Sequence, residues 1–113
     1  MELFQKKCIP CQGGVEPFTR EQALSMKEQI HEDWILSDDA KHLIRCFRFK
    51  NFKDAMALAV KVGEIAEAEN GHPDMGIGWG RLDVDITTHK IKGLVESDFI
   101  FAAKVDKSAG GSS

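Results

Sequence analysis

The groups in this chain that could move protons, hold a metal or act as nucleophiles are four histidines, three cysteines and 18 acidic residues. His72 and His89 stand out by position. His72 follows a long helical stretch, and His89 ends a strand-like alternation seventeen positions later. Side chains just outside regular elements can converge, and the hairpin expected between these two could bring them together. Two imidazoles so placed could exchange protons near neutral pH, as general acid or base. Two polar loop residues beside turn signals are the plainer reading of the same spacing. His31 falls at the end of a helical stretch, where a cation complements the dipole on the surface. His42 sits near a hairpin with no evident partner.

Other constellations are weaker. Cys8-x-x-Cys11 could begin a metal site, but structural zinc needs four ligands and only Cys46, mid-strand, remains. A thioredoxin-like redox pair belongs at a strand-to-helix junction, whereas this pair precedes any expected element. No metal is therefore expected. Asp83 and Asp85 alternate as the wet side of a half-buried strand does. Gly76, Gly78 and Gly80 lack the lysine-serine pair and the strand-to-helix setting of a phosphate loop. Phe47, Phe49 and Phe52 read as core. Lys50 and Lys53 are too few to suggest nucleic-acid binding.

The elements that must position these groups are legible. Thr19 and Gln22 form a capping-box signature with Phe18 and Ala23 at staple positions, opening a helix to about His31. Trp34-Ile35-Leu36 and about His42 to Phe49 read as two strands around the turn Ser37-Asp38-Asp39. Asn51 caps a second helix whose stripe is Phe52, Ala55, Ala59, Val62 and Ala66. Gly71, in the left-handed position, and then Pro73 stop it. Ile77 and Trp79 suggest a short strand, and Leu82, Val84, Ile86 and Thr88 alternate strictly with polar residues in the next. Gly93 breaks that pattern, and a last helix runs from about Glu96 to Val105.

The order helix-strand-strand-helix-strand-strand-helix implies an α+β domain, a four-stranded antiparallel sheet with three helices on one face. Residues 1–17 read as an irregular arm, 18–106 as the domain and 107–113 as a flexible tail. The 113 residues suit one domain with one modest core. Apolar content of 42% argues against disorder, and a net charge of −3 gives no field to recruit nucleic acid or anionic lipid. No apolar stretch is long enough to span a membrane, and no secretory signal opens the chain. Three cysteines fit a reducing cytoplasm better than a disulfide scaffold. Two free sheet edges would suit a dimer or tetramer.

Glu67-Ala68-Glu69-Asn70-Gly71-His72-Pro73-Asp74, then Trp79, Thr88-His89, Gly93-Leu94 and Asp98, resembles the pterin-4a-carbinolamine dehydratases. The likeness extends from about Thr19 to Val105 and includes Trp34 and the block from Arg45 to Phe52. Glu67, His72, Pro73, Trp79, His89 and Asp98 all fall at the family's spacings. Two positions depart from it. Gly71 stands where the family has the first of two adjacent histidines, and Val95 replaces a capping serine, a loss of about 1 kcal/mol.

The resemblance implies dehydration of a 4a-hydroxytetrahydropterin to quinonoid dihydropterin and water, with no metal or organic cofactor. That product recycling serves aromatic amino-acid hydroxylases. His72 is then the principal acid/base, with His89 serving the opposite proton or the departing hydroxyl. Glu67 and Asp98 orient the imidazoles, and Pro73 and Trp79 adjoin the pocket. The resemblance also implies an alternative. Members of this fold family act as interaction proteins, a dimerisation cofactor or an assembly factor, and Gly71 would suit a degraded pterin site.

Overall fold

The computed structural model describes residues 2–8 and 16–110 of the chain. Its sheet contains β1 (Ile35–Leu36), β2 (Leu43–Arg48), β3 (Asp74–Gly78) and β4 (Arg81–Ile86), all antiparallel in the order β1-β2-β4-β3. With α1 (Arg20–Lys27), α2 (Phe52–Glu69) and α3 (Glu96–Ser108), the chain has the α-β-β-α-β-β-α order expected of this α+β fold.

Period-two patterning sorts the sheet into two faces. Leu82, Val84 and Ile86 of β4 are buried, level with Phe47, Arg45 and Leu43 of β2. On the other face Asp83 pairs with Arg81 at 3.0 Å, and Asp85 meets His42 Nδ1 at 2.8 Å. The alternating carboxylates are thus a solvated face, as their spacing suggests. His42 does have a partner, contrary to expectation, because β2 and β4 are neighbours across a long sequence separation.

Local chemistry fixes most helix ends. Thr19 Oγ1 accepts the Gln22 N–H at 3.2 Å, and Gln22 Oε1 accepts the Thr19 N–H at 2.8 Å, completing the capping box. Helix α1 stops at Lys27, short of the expected His31. The segment beyond it turns, and the His31 and Trp34 N–H groups both reach Asp106 of α3, at 3.0 and 2.7 Å. Asn51 Oδ1 caps α2 by accepting the Asp54 N–H at 2.8 Å.

Asn70, not Gly71, takes the left-handed position at the end of α2, with φ 55° and ψ 37°. Asparagine tolerates that conformation better than other residues with a side chain, so the chain leaves the helix one residue earlier than expected. Gly71 keeps a hydrogen bond to the Ala66 carbonyl at 3.1 Å and an ordinary backbone.

Helix α3 is buried over almost its whole surface, with Phe99, Ile100, Phe101 and Ala102 all enclosed. It runs to Ser108, past the expected Val105. The start of the chain covers its exposed side. Leu3–Gln5 form a 3-10 turn with Leu3 buried, and Lys104 Nζ donates to the Phe4 carbonyl at 2.9 Å. Two glycines are required by their surroundings. Gly80, with φ 68°, makes the β3–β4 turn, and a Cβ on Gly93 would lie 2.5 Å from Pro17 Cβ. Among the described residues no helix is long and apolar enough to cross a membrane.

Candidate active site

The end of α2, the end of β4 with its following loop, and the first turns of α3 meet around a cavity of about 300 Å³. Gly71, His72, Thr88, His89, Asp98 and Phe101 are among its lining residues. The fold therefore brings both candidate histidines to one space, from segments seventeen positions apart. Pro73 lines the cavity as well.

His72 is presented by the sharp exit from α2 at Asn70. Its Nε2 lies 2.8 Å from Glu67 Oε2. A carboxylate can only accept, so Nε2 carries the proton and Nδ1 is left free to take or give one. Both side chains are mostly exposed, so this ion pair orients the ring at the rim more than it stabilises the fold. His89 is held differently. Thr88 and Gly93 exchange backbone hydrogen bonds at 3.0 and 3.4 Å, closing the tight loop that carries His89. Lys92 takes a left-handed backbone, φ 54°, to make that closure.

Asp98 lies beneath, only 5% exposed. Its two carboxylate oxygens are 2.9 and 2.8 Å from the Thr88 hydroxyl, and Oδ2 accepts the Val95 N–H at 2.8 Å. Burial pushes its pKa up to about 6, against the lowering effect of those two donors. Asp98 therefore orients no imidazole directly; it fixes Thr88, the residue before His89. The same carboxylate accounts for Val95. A side chain that cannot cap leaves its N–H to be satisfied from the third helical position, half of a capping box.

Two of the expected residues do not line the cavity. Glu67 reaches it only through His72. Trp79 occupies the tip of the β3–β4 turn and is 76% exposed. Conversely, Glu69, Cys8 and Phe101 line the cavity and carried no expectation of doing so. Glu69 could have been found. It continues the buried stripe of Val62 and Ala66, whereas Glu67 falls on another side of the helix. The Cys8 N–H donates to Glu69 Oε1 at 2.9 Å and Lys104 stands 3.7 Å from Oε2. Those contacts, the Cys8 N–H first, hold Glu69 below the usual carboxylate range. No sequence signal ties Cys8 to this place. Cys11 lies outside the described residues. Among the described residues, no three histidine, cysteine or acidic side chains gather as metal ligands would.

A model of the pterin 4 alpha carbinolamine dehydratase family matches residues 16–108. The chain belongs to that family. A protein of Methylococcus capsulatus, provisionally named a pterin-4-alpha-carbinolamine dehydratase, is 53% identical over 95% of this chain and 93% of its own. One of Halorhodospira halophila with the same provisional name is 53% identical over 94% and 96%. Among solved structures, a transcriptional coactivator/pterin dehydratase from Brucella melitensis superposes with TM-score 0.78 at 26% identity, over 84% of this chain and all of that one. A pterin dehydratase-like protein described as a RuBisCO assembly factor shares the fold, with TM-score 0.61 at 22% identity over 71% of this chain and 93% of its own.

The burial of Asp98 makes stability depend on pH. Its folded pKa lies above that of the unfolded chain, so its contribution is fully present below about pH 4 and is lost as pH rises through about 6. Asp98→Asn keeps an acceptor but cannot charge. Urea unfolding of the native protein and the variant should show the variant gaining on the native protein from pH 4 to pH 7, by up to about 3 kcal/mol. A difference that stays constant over that range contradicts the buried, titrating carboxylate.

Proposed function

We propose that the protein is a cytoplasmic dehydratase that converts a 4a-hydroxytetrahydropterin to quinonoid dihydropterin and water, restoring the pterin used by aromatic amino-acid hydroxylases. The observation that carries this reading is the placement of His72 and His89 on one cavity, within a chain of this family. A cavity near 300 Å³ is at the small end of ligand pockets and suits a bicyclic heteroaromatic.

In the reaction the bond from C4a to oxygen breaks, the hydroxyl departs with an added proton, and N5 loses its proton. Each proton needs a partner near neutral pH. His72 is the principal acid/base. Its Nε2 is committed to Glu67, which leaves Nδ1 to exchange a proton with the substrate. His89, on its closed loop, serves the other proton or steadies the departing hydroxyl. Asp98 acts through Thr88 as a positioning residue, and Phe101 supplies an apolar wall. The site residues need neither metal nor organic cofactor for these steps.

Gly71 leaves space where the family carries another histidine. A Cβ there would sit 3.7 Å from Phe101 Cδ2, an ordinary contact, so the position admits a side chain. The reaction is therefore slower than with three histidines but not abolished, since one proton-transfer group is worth about 10²–10⁴-fold.

Exposed apolar residues favour association as well. Phe52, Met56 and Val60 recur every fourth residue on the outer side of α2, and β3 is an edge strand bearing the exposed Met75 and Ile77. A homodimer or homotetramer covers such a surface; light scattering should give a multiple of the chain mass, and a monomer at micromolar concentration contradicts it. The same surface is what an interaction protein would use, so the two readings separate on chemistry.

The test is turnover of enzymatically generated 4a-hydroxytetrahydropterin, followed by ultraviolet absorbance. The native protein should exceed the spontaneous rate, His72→Ala should fall at least tenfold, and Gly71→His should rise or shift its pH profile. No acceleration by the folded native protein, with no pterin bound at tens of micromolar, contradicts the enzyme and leaves the interaction protein.

A further inference from the structure

The segment Leu3–Cys8 lies before the residues that match the family model, yet its last residue, Cys8, lines the cavity. Four contacts hold it down. Leu3 is buried against α3, and Lys104 Nζ of α3 donates to the Phe4 carbonyl at 2.9 Å. Lys6 Nζ pairs with Glu96 at 3.0 Å, and the Cys8 N–H donates to Glu69 at 2.9 Å. The last of these joins the arm to the end of α2, two residues before Gly71. Cys8 lines the cavity, and its thiol donates to the Ser97 carbonyl at 3.4 Å.

The geometry points to Cys8, at the end of the seated arm Leu3–Cys8, as part of the wall of the ligand site, with the Cys8–Glu69 hydrogen bond as the latch that seats it. Cys8 is then a specificity-determining residue. It lines the same cavity as Gly71 and Phe101, and it presents to a ligand a small, neutral, polarizable surface. Neutrality follows from its setting, since burial and then Glu69 push the thiol up to about 12. Latch and ligand support each other. A ligand that packs on Cys8 favours the seated arm, and unseating the arm lowers affinity by the same factor. The identity of the ligand as a pterin rests on the proposed function; the seated wall does not.

Alkylation of Cys8 tests the inference, with Cys46 on the exposed sheet face as an internal control and Cys11→Ser introduced to simplify the readout. Three forms are compared by mass spectrometry. The otherwise native form should label slowly at Cys8. Glu69→Ala, which removes the acceptor, should label at least tenfold faster there with Cys46 unchanged. Glu69→Gln keeps an acceptor oxygen but removes the charge that raises the thiol, so it sets the baseline for lost charge, and Glu69→Ala should exceed it at least tenfold. Equal Cys8 rates in Glu69→Ala and Glu69→Gln, in folded protein, overturn the latch.

Saturating 7,8-dihydropterin should then slow Cys8 alkylation at least tenfold and leave Cys46 untouched. If the pterin binds, as read by its fluorescence, and Cys8 is not protected, the wall is overturned while the dehydratase reading stands. If no pterin binds but Glu69→Ala still releases Cys8, the seated arm is supported and the dehydratase reading falls.

Discussion

Asp98 is a carboxylate taken out of water where the last helix begins, and it can be there only because donors from two elements meet it. One is the Val95 N–H, an orphan of the helix start; the other is the Thr88 hydroxyl, at the end of the sheet. A buried acid left without such partners would cost several kcal/mol, so helix, strand end and loop are obliged to keep one relative position. That position sets where the loop carrying His89 begins and one side of the cavity. The remaining side is set by how α2 ends, at the left-handed Asn70, which turns the chain so that His72 faces the same space. The two histidines are thus held by backbone and buried polar constraints at the cavity, with His72 at its exposed rim.

Much of this was legible from local chemistry. Strict alternation through Leu82, Val84 and Ile86 identifies β4 and its buried face, and Thr19 with Gln22 and Asn51 with Asp54 mark two helix starts by their side-chain acceptors. The places of His72 and His89 at element ends allow their convergence without requiring it. The features missed share a cause: they depend on partners distant in sequence. Asp85 completes His42 from 43 residues away and Cys8 completes Glu69 from 61 away, and no periodicity reports either. The shortened α1 belongs with them, because Asp106 draws the His31 and Trp34 N–H groups toward α3. The left-handed end of α2 is a local exception: Asn70 and Gly71 both tolerate that backbone, and only the folded geometry places it at Asn70.

Glu67 and Glu69 show how far spacing carries a functional reading. Family spacing singles out Glu67, and the structure joins it to His72, but at an exposed rim. Glu69 is two residues on, faces inward, and ties the arm to the cavity through Cys8. The surface that the rest of α2 turns outward is mixed, with Phe52, Met56 and Val60 exposed beside Lys53, Asp54, Lys61 and Glu64, while the end of the helix lines the cavity. The family membership of the chain therefore leaves the chemistry to be decided at the cavity.

The most direct measurement of that chemistry is the imidazole nitrogen spectrum of the native protein, recorded by NMR while a pterin is added. The chain has only four histidines, and His31 and His42 lie away from the cavity as internal references. The account predicts saturable shifts of His72 and His89 together, with His31 and His42 unmoved. A pterin that binds without moving His72 and His89, or that moves His42 instead, would contradict it.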